Sequence, residues 1–377
     1  MARRPEVSRV RVTLRVRLRE RNTVLLGAAM FVVGAGVIVA FSGTAAGGDS
    51  ASNRLRTLAV TALPVGKVVP LKVAGDLAVS PDGALYLAAS EQHEIVVRLA
   101  NGRFAMVAGD GEAGYTGNDG PALDARLSAP YDLTFGPNGT LWFVDQGRVR
   151  VIDADGIIHT LAGNGVGGDG VSGTPPAHPV DNGAPALTAS LGASPYVALG
   201  PNGRLYLDTS TQLLRLVGGR LETLATRQES FGAPLPRSLD MGLGYLAVDG
   251  AGNLDVSGFN GWAVWRVSSD AAAHYIGYAR QSGGNYSELV RAPGGTVYAE
   301  SGSVLLRLGQ HALVPAYNLN RLVDGEYFFM TSYAFGPKGT IYADEIPGGG
   351  AFEAHEQLIA LTGGHVTLLW QQANKES

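Results

Sequence analysis

The chain has 377 residues and contains no cysteine, which excludes disulfides, thiolate metal sites and a cysteine nucleophile. Its first 21 residues carry eight arginines and two glutamates, whereas the whole chain has a net charge of −4, so the remainder is strongly anionic. An anionic body argues against nucleic-acid binding, because neutralisation of phosphates supplies much of the affinity in such complexes.

The first predicted element is the hydrophobic segment TVLLGAAMFVVGAGVIVAFS at residues 23–42, which contains no charged residue. About twenty apolar residues are enough for a helix to cross a bilayer core of roughly 30 Å. The arginine-rich residues 1–22 are expected to stay in the cytoplasm, so a transmembrane helix would place everything after Ser42 outside. The alternative is a cleaved signal peptide ending near residues 44–46, which also places the body outside the cytoplasm. Small polar residues over 43–56 then predict a flexible tether.

Residues 57–372 repeat one pattern six times: an apolar run, a tight turn with glycine, and a second alternating run. In FGPNGTLWFVD, at 135–145, proline presets φ in the turn and glycine accepts a positive φ. Two further strand-like runs follow each turn, and four strands with a period near 43 residues are typical of a propeller blade. The sequence therefore predicts an all-β, six-bladed propeller of four-stranded antiparallel blades, with a short tail at 373–377. The turn glycines are Gly83, Gly139, Gly203, Gly252, Gly295 and Gly339.

The connections between these strands differ in length between the two ends of the predicted ring. With strands labelled a to d from the axis outward, the a–b and c–d turns are short. The d–a connections near 110–130, 164–195 and 226–242 are long, as is the b–c connection at 345–356. In a four-stranded meander the d–a and b–c connections lie at the same end. Because binding residues concentrate in loops, we expect this end to be the binding surface.

The connection GYTGNDGPALDARLSAP, at 114–130, must cross from the outer edge of the first blade to the axis. Pro121 can begin a helical turn there. Leu123 and Leu127 are four residues apart, so we predict that both pack this turn onto the core. DNGAPALTASLGASPY, at 181–196, repeats the same pattern ahead of the third blade.

The stretch AGDGEAGYTGNDGPALDARLSAPYDLTFGPNGTLWFVD, at 108–145, with TLAG at 160–163, resembles the NHL-repeat family. The shared pattern is AG-x-G, a glycine-rich segment ending in GPA, a strand, a turn glycine, an aromatic strand and AG again. The asparagine usual before the third strand is absent from VDQGRVR at 144–150. The resemblance implies a six-bladed propeller that acts as a recognition module, as in extracytoplasmic sensor domains. Some relatives bind RNA through a basic face, which the anionic body here disfavours.

One position in each repeat carries a polar side chain at the start of the predicted inner strand. Counting back seven residues from each turn glycine gives Asp76, Asp132, Tyr196, Tyr245, Glu288 and Ser332. These side chains could ring the mouth of the central channel and bind a cation or a polar ligand, and the oxygens of Asp76, Asp132 and Glu288 suit Ca²⁺. Carboxylates so close together would raise the pKa of one of them unless a cation is bound. The alternative is that these are ordinary hydrated residues at strand starts.

Two functions fit this pattern. The first is a membrane-anchored propeller without catalytic residues, which binds a protein, a peptide or a glycan outside the cytoplasm. The second is a cation-dependent enzyme that uses the mouth carboxylates, a lyase or lactonase of the kind found among related propellers. A zinc lyase would need several histidines near the channel, and none of the seven histidines lies in a predicted inner strand. We therefore favour the binding function.

Overall fold

The computed structural model describes most of the chain after residue 61 and three short segments before it. The chain forms two units, residues 1–64 and 65–377. The described residues are 10–14, 26–33, 36–43, 62–136, 138–166, 176, 178–193, 195–226, 243–258, 264–267, 273–277, 288–301, 304–319, 327–348 and 356–372.

The first unit contains a three-stranded antiparallel sheet of β1 (Val10–Leu14), β2 (Leu26–Val33) and β3 (Gly36–Gly43). Strands β2 and β3 occupy the segment for which the sequence predicts a transmembrane helix, residues 23–42, so the structure does not support a helix there. The runs FVV and VIVAF in these strands are β-branched and aromatic, which favours extended backbone. No helix among the described residues is long and apolar enough to span a membrane.

The second unit contains six antiparallel sheets, which confirms the predicted six-bladed, all-β architecture. Each of the first three blades has the predicted four strands and a short fifth strand, which comes from the segment preceding the blade and pairs with the outermost strand. Their strands are β4 (Val68–Val69), β5 (Leu77–Val79), β6 (Leu85–Ala89), β7 (Glu94–Arg98) and β8 (Phe104–Ala108); β9 (Gly120–Pro121), β10 (Pro130–Phe135), β11 (Leu141–Asp145), β12 (Arg148–Ile152) and β13 (Ile157–Ala162); and β14 (Ala184–Pro185), β15 (Tyr196–Leu199), β16 (Leu205–Asp208), β17 (Gln212–Val217) and β18 (Arg220–Thr226).

The last three blades are described as four-stranded meanders in the predicted order. Their strands are β19 (Leu243–Val248), β20 (Leu254–Gly258), β21 (Val264–Val267) and β22 (Ala273–Gly277); β23 (Leu289–Arg291), β24 (Val297–Ser301), β25 (Val304–Leu308) and β26 (Leu313–Asn318); and β27 (Tyr327–Phe335), β28 (Ile341–Gly348), β29 (Gln357–Thr362) and β30 (His365–Gln371).

The inner strands β5, β10, β15, β19, β23 and β27 contact one another in order, and β27 contacts β5, so the ring is closed. Between the last and first blades, the Leu77 backbone N–H donates to the Ser332 hydroxyl oxygen at 3.1 Å. Aromatic side chains fill the spaces between blades. The rings of Tyr86 and Phe135 lie 4.8 Å apart across the first boundary, and those of Tyr298 and Phe335 lie 4.6 Å apart across the fifth. The core therefore lies between the blade faces.

The crossing before the second blade contains a single 3-10 turn, Ala122–Asp124, directly after Pro121. Leu127 is fully buried, as predicted, but Leu123 is only half-buried. The reason is that the turn ends at Asp124 and Ala125 is extended (φ −79°, ψ 152°), so the four-residue helical spacing does not apply.

The NHL-like pattern contains the dipeptide AG at 108–109 and again at 162–163, and we call these two dipeptides the AG signature. Both glycines lie where the end of a d strand approaches the b–c turn of its own blade. Gly109 and Gly163 have φ of +95° and +87°. A Cβ on Gly109 would lie 2.3 Å from the carbonyl oxygen of His93, and one on Gly163 would lie 2.2 Å from that of Gly147. The signature therefore marks two positions that exclude any side chain.

Candidate functional site

The six residues found by counting back from the turn glycines lie in or directly before the six inner strands. Asp76 and Glu288 directly precede β5 and β23, and Tyr196 begins β15, as expected, whereas Asp132, Tyr245 and Ser332 lie inside β10, β19 and β27. Five of them, together with Leu77, Tyr131 and Leu133, line one pocket, which has a cavity volume of about 90 Å³. The sixth, Ser332, is not part of the pocket lining and is 2% exposed. The five pocket residues are Asp76, Asp132, Tyr196, Tyr245 and Glu288.

Each of the three pocket carboxylates accepts a backbone N–H from the following inner strand around the ring. The Asp132 N–H donates to Oδ2 of Asp76 at 2.6 Å, and the Val197 N–H donates to the Asp132 carboxylate. The Tyr333 N–H donates to the Glu288 carboxylate. We call these bonds inter-blade latches. The side chains at this position therefore hold neighbouring blades together as well as facing the pocket.

The pocket tyrosines form a continuous aromatic wall. The rings of Tyr196 and Tyr245 lie 4.6 Å apart, and their hydroxyls are hydrogen-bonded to each other. Tyr131, from the second blade, makes an edge contact with Tyr196 at 6.4 Å and donates its hydroxyl to the Pro195 carbonyl at 3.0 Å. One side of the pocket thus presents aromatic rings and the other presents carboxyl groups.

Removal from water is the main electrostatic effect in the pocket. It raises the pKa of Asp76, and it raises the pKa of Asp132 and of Glu288 well above their usual values. The three carboxylates also repel one another: Asp76 contributes to the raised pKa of both Asp132 and Glu288. These directions agree with the sequence-based expectation for clustered carboxylates. Burial likewise raises the pKa of the Tyr196 and Tyr245 phenols.

The donor set is all oxygen, which suits a hard cation such as Ca²⁺. Among the described residues, no three histidine, aspartate or glutamate side chains lie close enough together to share a metal ion. Asp76, Asp132 and Glu288 each direct carboxylate lone pairs at a backbone N–H instead. Binding of Ca²⁺ by Asp76, Asp132 and Glu288 stays a prediction from the sequence.

A second tier of acidic residues, missed by the sequence reasoning, lies one strand outward from the pocket. Asp208 pairs with Tyr196, and Asp344 pairs with Ser332, in the antiparallel register. The Glu300 N–H donates to the Glu288 carbonyl at 3.1 Å, which makes the same kind of pair. These acids are 0%, 0% and 5% exposed. Each is the fifth residue after a turn glycine, a regularity that could have identified them.

Asp344 is hydrogen-bonded to Glu356, the residue immediately before β29. Oε2 of Glu356 accepts the Ala74 N–H at 2.9 Å, so this acid pair also connects the last blade to the first. Burial, together with the adjacent Glu356, raises the pKa of Asp344 to about 8. A pair of this kind is stable when one of its members keeps a proton.

None of the pocket-lining residues is a histidine. His159 lies on strand β13, where Nδ1 is 2.7 Å from Oδ1 of Asp119 and Nε2 is 3.4 Å from Oδ2 of Asp153. The bond to Asp119 raises the pKa of His159. His159 therefore connects the crossing segment to the outer strand of the second blade and does not contribute to the pocket.

Comparison with known proteins gives partial and distant similarities. No family model matches the chain, so the resemblance to NHL repeats rests on the sequence pattern alone. The chain is 34% identical over 102 residues to Teneurin-m of Drosophila melanogaster and 35% identical over 104 residues to Teneurin-3 of Mus musculus. Each match covers 23% of this chain and 4% of the teneurin, so the chain spans a small fraction of these relatives' length.

Solved structures with a similar fold include both enzymes and a binding protein. A virginiamycin B lyase from Staphylococcus aureus has 15% identity and a TM-score of 0.43, with 90% of this chain and 96% of that chain covered. A gluconolactonase from Xanthomonas campestris has 12% identity and a TM-score of 0.45, with 76% and 95% covered. An auxiliary nutrient binding protein from Bacteroides thetaiotaomicron has 11% identity and a TM-score of 0.45, with 72% and 66% covered. Similarity at this level carries no function over to this chain.

Proposed function

We propose that this chain is a non-catalytic binding protein, which takes a ligand in the central pocket and at the end of the ring around it. The observation that carries the proposal is the pocket itself, in which side chains from five different blades converge on one cavity of about 90 Å³. A concave site with a few converging polar groups is the usual form of a ligand-binding site. The pocket lies at the end of the ring where the d–a and b–c connections, the longest in the chain, also lie.

The composition of the pocket argues for binding rather than catalysis. Its lining residues are carboxylates, tyrosines and leucines, without a histidine, a lysine or a serine to act as a nucleophile or a neutral base. The latches hold Asp76, Asp132 and Glu288 in place, which pre-organises the site for a ligand but uses part of their hydrogen-bonding capacity. The lyase or lactonase alternative has no comparable observation in its favour.

Attachment to a membrane is a separate part of the proposal. Its support is the sequence: residues 23–42 contain no charged side chain and follow a segment rich in arginine. On this view the propeller is extracytoplasmic and its long-loop end meets a protein, a peptide or a glycan. The resemblance to NHL repeats supports a recognition role of this kind. Alkaline carbonate extraction of membranes and a reporter fused after Ser377 test the attachment and the orientation.

The binding function is tested on the full chain in detergent micelles. A panel of amines, carboxylates, sugars, short peptides and divalent cations is screened by thermal shift, and each compound that binds is followed by NMR for chemical conversion. We expect at least one class to raise the melting temperature of the wild type, to leave that of Glu288→Gln unchanged, and to be recovered intact. Conversion of a bound compound would instead favour the enzyme. The matched control is Glu112→Gln, because Glu112 is an exposed glutamate at the same end of the ring.

A further inference from the structure

The pocket combines a wall of acidic side chains and an aromatic wall, with no basic side chain among its lining residues. Asp76, Asp132 and Glu288 supply three carboxyl groups, and Tyr131, Tyr196 and Tyr245 supply three rings. Burial favours the neutral form of these carboxyl groups, but a cation in the pocket favours the ionised form and is attracted to it. The faces of aromatic rings attract a cation through their quadrupole. Both walls therefore favour a ligand with a positive charge.

One carboxylate oxygen in the pocket lacks a partner. Oε2 of Glu288 is shielded from solvent and accepts no hydrogen bond from any described residue. Leaving such an acceptor unsatisfied costs on the order of 1–3 kcal/mol, and more for a charged group. The lining has no N–H donor on a side chain, the Tyr131 hydroxyl donates to the Pro195 carbonyl, and the hydroxyls of Tyr196 and Tyr245 bond to each other. A ligand that carries N–H groups would therefore bring donors that the lining side chains lack.

A positive charge and a hydrogen-bond donor are the two requirements on the ligand, and together they distinguish between the possible kinds of cation. A calcium ion needs six to eight converging oxygens, whereas the carboxylates here do not converge in groups of three among the described residues. A quaternary ammonium has no N–H and cannot satisfy Oε2 of Glu288. A primary ammonium has three N–H donors and a full positive charge, and its alkyl stem can lie against the rings of Tyr196 and Tyr245.

We infer that the pocket binds a primary ammonium group, carried either by a free alkylamine or by a lysine side chain. The ammonium donates to the Glu288 carboxylate once that side chain turns its shielded Oε2 toward the pocket, and Asp76 and Asp132 stabilise the charge from the same wall. This inference rests on the proposed function, since it names the ligand class of the same pocket. It differs from the sequence-based expectation of Ca²⁺, because it uses the tyrosine rings as well as the carboxylates.

The test is isothermal titration calorimetry on the full chain in detergent micelles. One arm uses n-butylamine and the other uses the peptide acetyl-Gly-Lys-Gly-amide, so that free-amine and lysine sources are distinguished. n-Butanol, tetramethylammonium chloride and CaCl₂ serve as comparison ligands. We expect one or both amines to bind, n-butanol and tetramethylammonium to bind at least tenfold more weakly, and Glu288→Gln to weaken the amine by at least tenfold. Glu112→Gln, the exposed control, should leave the affinity unchanged.

Circular dichroism shows whether Glu288→Gln folds. If it does not fold, a second pair of variants still tests the inference. Tyr245→Phe retains the aromatic face and should bind the amine within about threefold of wild type, whereas Tyr245→Leu removes the face and should weaken binding about fivefold or more. Absence of amine binding to the wild type, or amine binding that neither Glu288→Gln nor Tyr245→Leu weakens, would overturn the inference. If a sugar or CaCl₂ bound in place of the amines, the ammonium inference would fail while the proposed binding function stood.

Discussion

The backbone N–H of Asp132 donates to Oδ2 of Asp76 at 2.6 Å, across the boundary between the first two blades. A charged side chain of one blade is thereby used as an acceptor for the main chain of the next. The same relationship recurs from Asp132 to Val197 and from Glu288 to Tyr333. Residues chosen from the sequence as a ligand site are thus also part of the closure of the ring.

The first prediction separates the two roles of Asp76. Asp76→Ala should lower the free energy of unfolding by about 1–3 kcal/mol, because it leaves the Asp132 N–H without its acceptor. Asp76→Asn keeps a carbonyl oxygen for that N–H and removes the repulsion with Asp132 and Glu288, so it should be at least as stable as wild type at pH 7. Urea denaturation followed by tryptophan fluorescence measures both. If the two variants lost the same stability, the latch would depend on charge and not on hydrogen-bond acceptance.

The second prediction concerns the fully buried ion pair in the second blade. Nη1 of Arg150 lies 3.2 Å from Oδ2 of Asp145, and the two side chains are 0% and 1% exposed. Asp145→Ala should lower the free energy of unfolding by about 3–5 kcal/mol, because it leaves a buried guanidinium without a counter-charge. The double variant Asp145→Ala/Arg150→Met should recover part of this loss. A double variant less stable than Asp145→Ala alone would contradict the explanation.

The architecture could be predicted from the sequence because its signal repeats. Six turns with the same chemistry at intervals of 43 to 64 residues indicate six similar units, even where individual strands are ambiguous. Counting from those turns also placed five side chains in one pocket, since the register of an antiparallel hairpin is fixed by its turn.

The features that could not be predicted depend on contacts between distant segments or on competition between local preferences. Near Asp132 the register of the β10–β11 pairing shifts, and the φ of Asp132 is +53°. Together these two features direct its side chain and its N–H at two different neighbours. Neither the shift nor the positive φ is visible in the sequence. Residues 23–42 have the length and hydrophobicity of a helix but also the β-branched content of the strands β2 and β3. In such a segment, apolar length alone does not decide the backbone conformation.

The third prediction is a pH dependence set by the acid pair between the last and first blades. The pKa of Asp344 is raised from 3.8 to about 8 in the folded protein. A raised carboxyl pKa means that the folded state holds a proton which the unfolded state releases, so this contribution to stability is full below about pH 4 and is lost as the pH rises through 8. We expect the melting temperature to fall between pH 5 and pH 8.5.

Asp344→Asn should remove this part of the pH dependence, because the amide donates to Glu356 at every pH without needing a proton. Differential scanning calorimetry at four pH values measures the slope. Asp124→Asn, at an exposed carboxylate in the 3-10 turn, is the control and should leave the slope as in wild type. A melting temperature that rises with pH in the wild type would contradict the assignment.

The fourth prediction tests whether the AG signature marks a close approach of two backbone segments. It compares two glycines that both have a positive φ but differ in how closely other atoms surround them. Gly163 and Gly203 both have positive φ, +87° and +74°. A Cβ on Gly163 would lie 2.2 Å from the Gly147 carbonyl oxygen, whereas a Cβ on Gly203 would meet no atom within 4 Å. Gly203→Ala should therefore cost only the backbone strain of a left-handed alanine, about 1–2 kcal/mol. Gly163→Ala should cost at least about 2 kcal/mol more, because the end of β13 must move away from the turn before β12. Equal losses in urea denaturation would mean that the signature records backbone conformation alone and not the close approach of the two segments.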